Sequence, residues 1–196
     1  MAKKSRILIA TSDPDLLSMA RRALESAPNV DSDGHGGFEV TTADCREKAL
    51  ARARTELPNL VIIGYLEPRG ESFTLHEQLN GHFRTRDIPL LVIDVRPQEH
   101  RQKGWIRAEG LRMQAEGYMS RPVETTELLQ EVRRIMETTA HRQARLEETL
   151  AAVQHRMLRE MEHWKEGMLE LLERPRENPV SAVEAVEAAA EAGSRR

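Results

Sequence analysis

Leu60–Ile63 (LVII) is a four-residue run without a charge, set off by Pro58 before it and by Gly64 and Pro68 after it. Three of its four side chains are β-branched, and none gives the run a polar face, so it reads as a strand covered on both sides within a parallel sheet. Longer or more mixed runs of the same kind occur at Arg6–Ala10 (RILIA), Phe38–Thr42 (FEVTT), Pro89–Ile93 (PLLVI) and Gly117–Ser120 (GYMS). Between them lie helical patterns. Asp13 is placed to cap a helix and Pro14 to occupy its first turn, after which Leu16, Leu17, Ala20, Ala23 and Leu24 recur at helical spacing. Asp44 with Glu47 suits a capping arrangement for a helix over Cys45–Glu56, and Gly70–Asn80 (GESFTLHEQLN) carries Phe73, Leu75 and Leu79. Strands alternating with helices predict an α/β fold, a doubly wound five-stranded parallel sheet covered on both faces.

The intervening segments are less informative. Asn29–Gly37 (NVDSDGHGG) is a polar, glycine-rich loop; its Asp31, Asp33 and His35 do not follow a calcium-loop pattern and read as solvated. Arg96–Gln114 is polar and irregular, anchored by Trp105, Ile106 and Leu111. His76 and His82 lie in polar stretches and are expected to be exposed. Cys45, the single cysteine, has no partner for a disulfide and no histidine in view to activate it, so a structural role is expected.

Composition narrows the function classes. With 196 residues and 39% hydrophobic content the chain holds one good core plus an appendage. A formal charge of -3 supplies no overall field to recruit nucleic acid or an anionic membrane, which leaves proteins as the expected partners. No run approaches the roughly 20 apolar residues of a membrane helix, and the start MAKKSRILIA has too short an apolar stretch for a signal peptide, so a cytoplasmic location is expected. No phosphate-cradling glycine loop or metal-ligand spacing is present, and neither a cofactor nor a metal is expected.

In open α/β sheets, ligands and chemistry gather at the carboxyl ends of the strands. The residue delivered there by the most buried run is Gly64, which brings no side chain.

With the elements placed, residues 5 to about 138 resemble a response-regulator receiver domain, the phosphoryl-accepting module of two-component signalling. RILIATSDPDLL is similar to the family's first strand and acidic turn, and PNLVIIGYLEP to its acceptor strand with a proline four residues beyond. IPLLVID is similar to the fourth strand and GYMSRPV to the fifth, with its lysine-proline signature. The resemblance implies a CheY-like sheet of order 2-1-3-4-5 and a cis Arg121-Pro122 peptide. It also implies a site made of an aspartate nucleophile, an acidic pair holding Mg²⁺, a hydroxyl and a lysine, since a carboxylate attacks an anionic phosphoryl group only where cations neutralise the charge. The matching positions here carry Gly64 for the nucleophile, Thr11 and Ser12 for the acidic pair, Asp94 for the hydroxyl and Arg121 for the lysine. On that reading the chain is a degenerate receiver. Asp94 is expected to pair with Arg121 in the vacated pocket, with Arg121 reaching solvent or pairing with Asp13 as the alternative. Tyr118, three residues before Arg121, matches the aromatic position that many receivers use on their partner-binding face.

Beyond the receiver-like part the helical pattern runs on without glycine or proline to Gly167. Leu146, Leu150, Val153 and Met157 keep three-and-four spacing, and Met161, Trp164, Met168 and Leu171 continue it after a four-residue step, a stutter in a heptad pattern. A helix of roughly 50 residues is predicted, extending about 75 Å. Its apolar stripe calls for burial in a parallel homodimeric coiled coil, a hairpin folded back, or a groove on another protein. Pro175 and Pro179 are expected to end it, and SAVEAVEAAAEAG reads as a low-complexity, disordered tail. The organisation expected is a receiver-like part over 1–138, a helical extension over 139–174 and a tail over 175–196. No basic helix-turn-helix follows, so DNA binding is not expected.

The function these features point to is binding, not catalysis: a receiver-like module and helical arm that meet a protein partner or a second copy. Two rivals remain from the same residues. One keeps phosphoryl chemistry on Asp94 or Asp13; the other uses the pocket at Gly64 to sense a small molecule.

Overall fold

The computed structural model describes residues 4–27, 38–105, 109 and 112–173, with side chains described through 169. The loop residues Asp31, Asp33 and His35, the anchors Ile106 and Leu111, Pro175, Pro179 and the alanine-rich tail therefore lie outside the described residues. The element order is β1 (Arg6–Ala10), α1 (Pro14–Glu25), β2 (Glu39–Ala43), α2 (Arg46–Glu56), β3 (Leu60–Ile63), α3 (Glu71–Asn80), β4 (Leu90–Asp94), α4 (His100–Lys103), β5 (Gly117–Ser120) and α5 (Thr125–Glu173). A single 3₁₀ turn at Pro97–Glu99 leads into α4. All pairings are parallel and the strand order is β2-β1-β3-β4-β5.

The strand sequences explain that order. Every residue of β3 and β4 is buried, as are four of the five in β1, which suits the central positions; β2 and β5 are only partly covered and form the edges. Alternate side chains divide between two cores. Leu8, Ala10, Val61, Ile63, Leu90 and Val92 pack against Ala49 and Ala53 of α2 and Phe73, Leu75 and Leu79 of α3. Ile7, Ile9, Leu60, Ile62, Leu91 and Ile93 pack against α1 and against Leu128, Val132 and Ile135 of α5. Gly117 lets α5 approach β5 closely: a Cβ there would lie 2.8 Å from Ile135 Cδ1 and 2.9 Å from Leu91 Cδ1.

Helix boundaries follow local chemistry. Asp13 accepts the amides of Asp15 and Leu16, and Pro14 opens α1, as its sequence predicts. The capping arrangement expected for α2 does not form. Cys45 occupies the N-cap position without a side-chain bond, while Asp44, one residue too early to reach the free amides, pairs with Lys48 at 2.9 Å. The second strand is likewise one residue later than its sequence pattern suggests, Glu39–Ala43 in place of 38–42. The polar stretch after β4, read as irregular, contains the short α4. The Arg121-Pro122 peptide is cis, and so is Glu67-Pro68.

Two compact units are present, residues 1–143 and 144–196. In the described residues α5 is one uninterrupted helix of 49 residues. No helix among the described residues is long and apolar enough to cross a membrane.

His76, expected to be exposed, is 3% exposed, because its turn of α3 faces the same core as Leu75 and Leu79. Its ring stacks near Phe73, and Nε2 bonds to the Asn80 amide at 3.1 Å. His82 is half-buried. Burial pushes the His76 pKa below its ordinary 6.5, although the charges of Glu77 and Glu116 oppose the shift. The unfolded chain therefore takes up a proton here at a higher pH than the folded one, so stability present above pH 6.5 is lost as pH falls below it. Chemical denaturation at pH 7.5 and 5.5 is expected to show a smaller acid-side loss in His76→Leu than in the parent chain; equal losses would place the proton uptake elsewhere.

Candidate functional site

The sheet delivers four short segments to its carboxyl edge: Thr11–Asp13 after β1, Gly64–Leu66 after β3, Asp94 at the end of β4, and Arg121 after β5. Parallel register places them side by side, since Ala10 pairs with Ile63, Ile63 with Val92, and Asp94 with Ser120. The six residues that sequence reasoning assigned to one pocket are thus neighbours. Their contacts differ from those expected.

Thr11 and Ser12 spend their hydroxyls on the backbone. Thr11 Oγ1 donates to the Tyr65 carbonyl at 3.1 Å and accepts the Asp13 amide at 3.2 Å; Ser12 Oγ donates to the Asp44 carbonyl at 2.9 Å and accepts the Glu67 amide at 3.0 Å. These bonds tie the β1 and β3 loops together, and the Ser12 amide adds another to the Tyr65 carbonyl at 2.7 Å.

Gly64 is held as tightly. Its amide donates to the Ala10 carbonyl at 2.8 Å, and its own carbonyl accepts from Ser72 Oγ at 2.8 Å. A Cβ at this position would lie 2.7 Å from Thr11 Oγ1 and 2.9 Å from both Thr11 Cβ and Leu16 Cδ2. The pocket that a small-molecule sensor would use at Gly64 is therefore closed: Thr11 and Leu16 pack over it, and Thr11 is only 1% exposed. Filling that space gains dispersion contacts that a void would forfeit.

The expected Asp94–Arg121 pair does not form. Arg121 instead bonds through Nη1 to Asp13 Oδ2, in a pair whose side chains are mostly covered. The reason lies in the cap. Asp13 Oδ1 is fixed by the amides of Asp15 at 2.9 Å and Leu16 at 3.1 Å, so Oδ2 is already oriented when Arg121 meets it. Burial pushes the Asp13 carboxyl up, but the Leu16 amide and the Arg121 guanidinium outweigh it and hold the group below the usual carboxylate range.

Asp94 turns the other way. Its Oδ1 accepts the Val95 amide at 2.8 Å, which presents Oδ2 to the Tyr118 hydroxyl and, at 3.3 Å, to His100 Nε2. Tyr118 lies opposite Val92 on the neighbouring strand, two residues from Asp94 on the same face, within diagonal reach. Its ring remains half exposed. Burial of the hydroxyl, the bond to Asp94 and that residue's charge all push the phenol above its ordinary range. Sequence reasoning missed both contacts of Asp94. Strand pairing carries the signal for Tyr118, while His100 sits in a stretch without periodicity.

The donor set at this edge does not suit a divalent cation such as Mg²⁺, which prefers carboxylate oxygens. Thr11 and Ser12 offer neutral hydroxyls already bonded, Asp13 holds a guanidinium, and Gly64 offers nothing. Among the described residues no group of three or more histidine, cysteine or acidic side chains is arranged to hold a metal.

Known proteins place this arrangement. No family model matches the chain. It is 28% identical over 134 residues to the DNA-binding dual master transcriptional regulator RpaA of Synechocystis, a match covering 68% of this chain and 50% of RpaA. It is 26% identical over 132 residues to Protein PilH of Pseudomonas aeruginosa, covering 67% of this chain and 98% of PilH. The phosphate regulon transcriptional regulatory protein PhoB of Escherichia coli is 24% identical over 131 residues, 51% of its length. The chain thus spans about half the length of RpaA and PhoB. In structure it matches a CheY-like response regulator receiver domain protein from Methanospirillum hungatei with a TM-score of 0.55 at 20% identity, covering 71% of this chain and 99% of that one. The chemotaxis response regulator CheY4 of Vibrio cholerae gives 0.53 at 20% identity, covering 68% and 99%. The globular unit has the CheY-like fold of response-regulator receiver domains.

Two further surfaces carry residues singled out by sequence. A surface hollow of about 530 Å³ lies between β5 and α5, lined by Tyr118, Met119, Glu127, Gln130, Glu131 and Arg134. On α5 the seam residues Leu146, Leu150, Val153, Met157, Met161, Trp164 and Met168 are all exposed; Leu171 lies on the helix, its side chain outside the described residues.

Gly64→Ala is expected to cost about 1 to 3 kcal/mol in chemical denaturation, because Thr11 must be displaced; an unchanged midpoint would mean that the β1 loop yields freely. Arg121→Ala is expected to cost about 1.5 to 3 kcal/mol. Asp13→Ala is expected to cost about 1 kcal/mol more, having lost the helix cap as well. A double-mutant cycle on the two residues should return a clear coupling, and additive losses would show that the pair contributes nothing of its own.

Proposed function

We propose that this receiver domain works by protein–protein contact and does not accept a phosphoryl group, serving as a docking or scaffolding element in bacterial two-component signalling. One observation carries the reading: the place of the acceptor side chain is closed by Thr11 and Leu16 over Gly64, and the remaining acidic residue of the β1 turn, Asp13, is bound to Arg121. A receiver needs an open carboxylate beside a metal to take up the phosphoryl group. Here the side-chain oxygens of Thr11, Ser12, Asp13 and Asp94 already have protein partners. The chain is on this reading a binding module and not an enzyme, placed in the cytoplasm with its signalling partners, and neither a cofactor nor nucleic acid belongs to its role.

The similarity to RpaA, PhoB and PilH supports the signalling context. The face built from β5 and the first turns of α5 is the docking surface this reading favours, since it combines the Tyr118 ring with the hollow beside Glu127 and Arg134. The bond from the Tyr118 hydroxyl to Asp94 holds the ring in one orientation, so the surface is presented without a trigger. The uninterrupted helix supplies the second contact element.

Phosphorylation at Asp94 or Asp13 is the weaker reading, because Asp94 is 5% exposed with both oxygens engaged and Asp13 is capped and paired. A small-molecule sensor at Gly64 is disfavoured by the same packing.

Incubation with acetyl phosphate and Mg²⁺ followed by intact-mass analysis is expected to give no phosphoryl adduct. Gly64→Asp alone is expected to give none either, since the acidic pair is still missing and Thr11 obstructs the new side chain. An adduct on the parent chain that disappears in Asp94→Asn or Asp13→Asn would overturn the proposal.

A further inference from the structure

The part of α5 within residues 144–169 is a helix whose apolar side chains face water. From Leu146 to Met168 the seam residues range from 38% exposed at Val153 to 79% at Trp164. Their steps average about 3.7 residues, close to the 3.6 of a straight helix, so the seam stays on one side with little supercoiling required. Stretches this apolar on a solvated helix mark a contact surface.

The flanks of the seam say what covers it. In two parallel helices in register, a residue on one flank meets the residue five positions later on the other flank of the second copy. Glu160 then faces Lys165, Thr149 faces Gln154, and Arg142, which makes only a 3.7 Å contact with Glu116 in its own chain, faces Glu147. Both charged pairings have opposite signs and the third is polar with polar. In an antiparallel pair centred on the same segment, like flanks meet, and Arg156 falls against its own copy near the midpoint. Charge and seam therefore agree on one occupant.

We propose that residues 146–168 pair with the same residues of a second copy in a parallel, in-register coiled coil, with Glu160 of each chain on Lys165 of the other. This deepens the reading of the helix as a contact element and is independent of whether the acid site is silent. Met157 and Met161, flanking the four-residue step, are unbranched and adapt to the seam where strict heptad packing is interrupted. A dimer joined here carries two receiver domains and two copies of the Tyr118 face, so a partner with two sites would be held with raised effective concentration.

Sedimentation equilibrium on the full chain over a wide concentration range is expected to show a monomer–dimer equilibrium. Glu160→Lys and Lys165→Glu, each alone, are expected to raise the dissociation constant about tenfold, with two like-charge contacts created per dimer, and the double exchange to restore it. Met168→Cys in a Cys45→Ser background is expected to crosslink under mild oxidation, since a parallel register brings that position next to its copy. A monomer at every concentration overturns the proposal, as does a dimer indifferent to both charge reversals or one that fails to crosslink at 168. None of those outcomes bears on phosphoryl transfer, which the mass measurement tests separately.

Discussion

The molecule is governed by the fact that β1, β3 and β4 have no side left for water. Once Leu8, Val61 and Val92 are committed to one core and Ile9, Ile62 and Ile93 to the other, both faces of the sheet must be covered by helices. Polar groups gather where the strands end. The carboxyl edge is thus a place where hydrogen-bond demand is concentrated, whatever the chemistry it supports.

How that demand is met differs from an edge of open carboxylates around a cation. An edge made of carboxylates around an open site carries unbalanced charge, which a cation must offset. Here the balance is internal. Two neutral hydroxyls satisfy backbone groups, one carboxylate is divided between a helix cap and a guanidinium, and the other between an amide, a phenol and His100. Gly64 is part of the same economy of space, because an added Cβ would collide with Thr11, the residue that bridges the β1 and β3 loops. The residues at positions 11, 64 and 121 are mutually consistent, each making sense of the next. A site in which one residue had merely been lost would leave an unpaired group or a void, and neither is seen among these residues.

The fold was legible in the sequence because burial on both faces leaves an unmistakable composition: β1, β3 and β5 begin and end where their sequence runs do, and β2 and β4 are each displaced by a single residue. The site was legible as a set of positions and not as a set of contacts. Sequence places Asp94, Arg121 and Asp13 at one edge, but the choice of partner depends on which carboxylate oxygen is already fixed, and that follows from local geometry at the α1 cap and at Val95. His76 was misread for a related reason: its neighbours in sequence are polar, while its neighbours in space are Phe73 and Asn80. In α3 the apolar pattern is sparse enough that one histidine on the inner face is hard to distinguish from one on the outer.

The long helix obeys the opposite rule from the sheet. In the strands, apolar residues are followed at once by their burial within the same chain; on α5, Leu128, Val132 and Ile135 are buried in the same way, and the pattern then continues past the core that justified it. A stripe that persists where no core remains is costly in water, since each exposed side chain keeps apolar surface hydrated that burial would stabilise by roughly 25 cal/mol per Å². Leucine, valine and methionine stay in phase through a four-residue step while the charged residues on the flanks alternate in sign. The phase favours an occupant for this surface, and the opposite signs at Glu160 and Lys165 are what the proposed pairing with a second, parallel copy rests on.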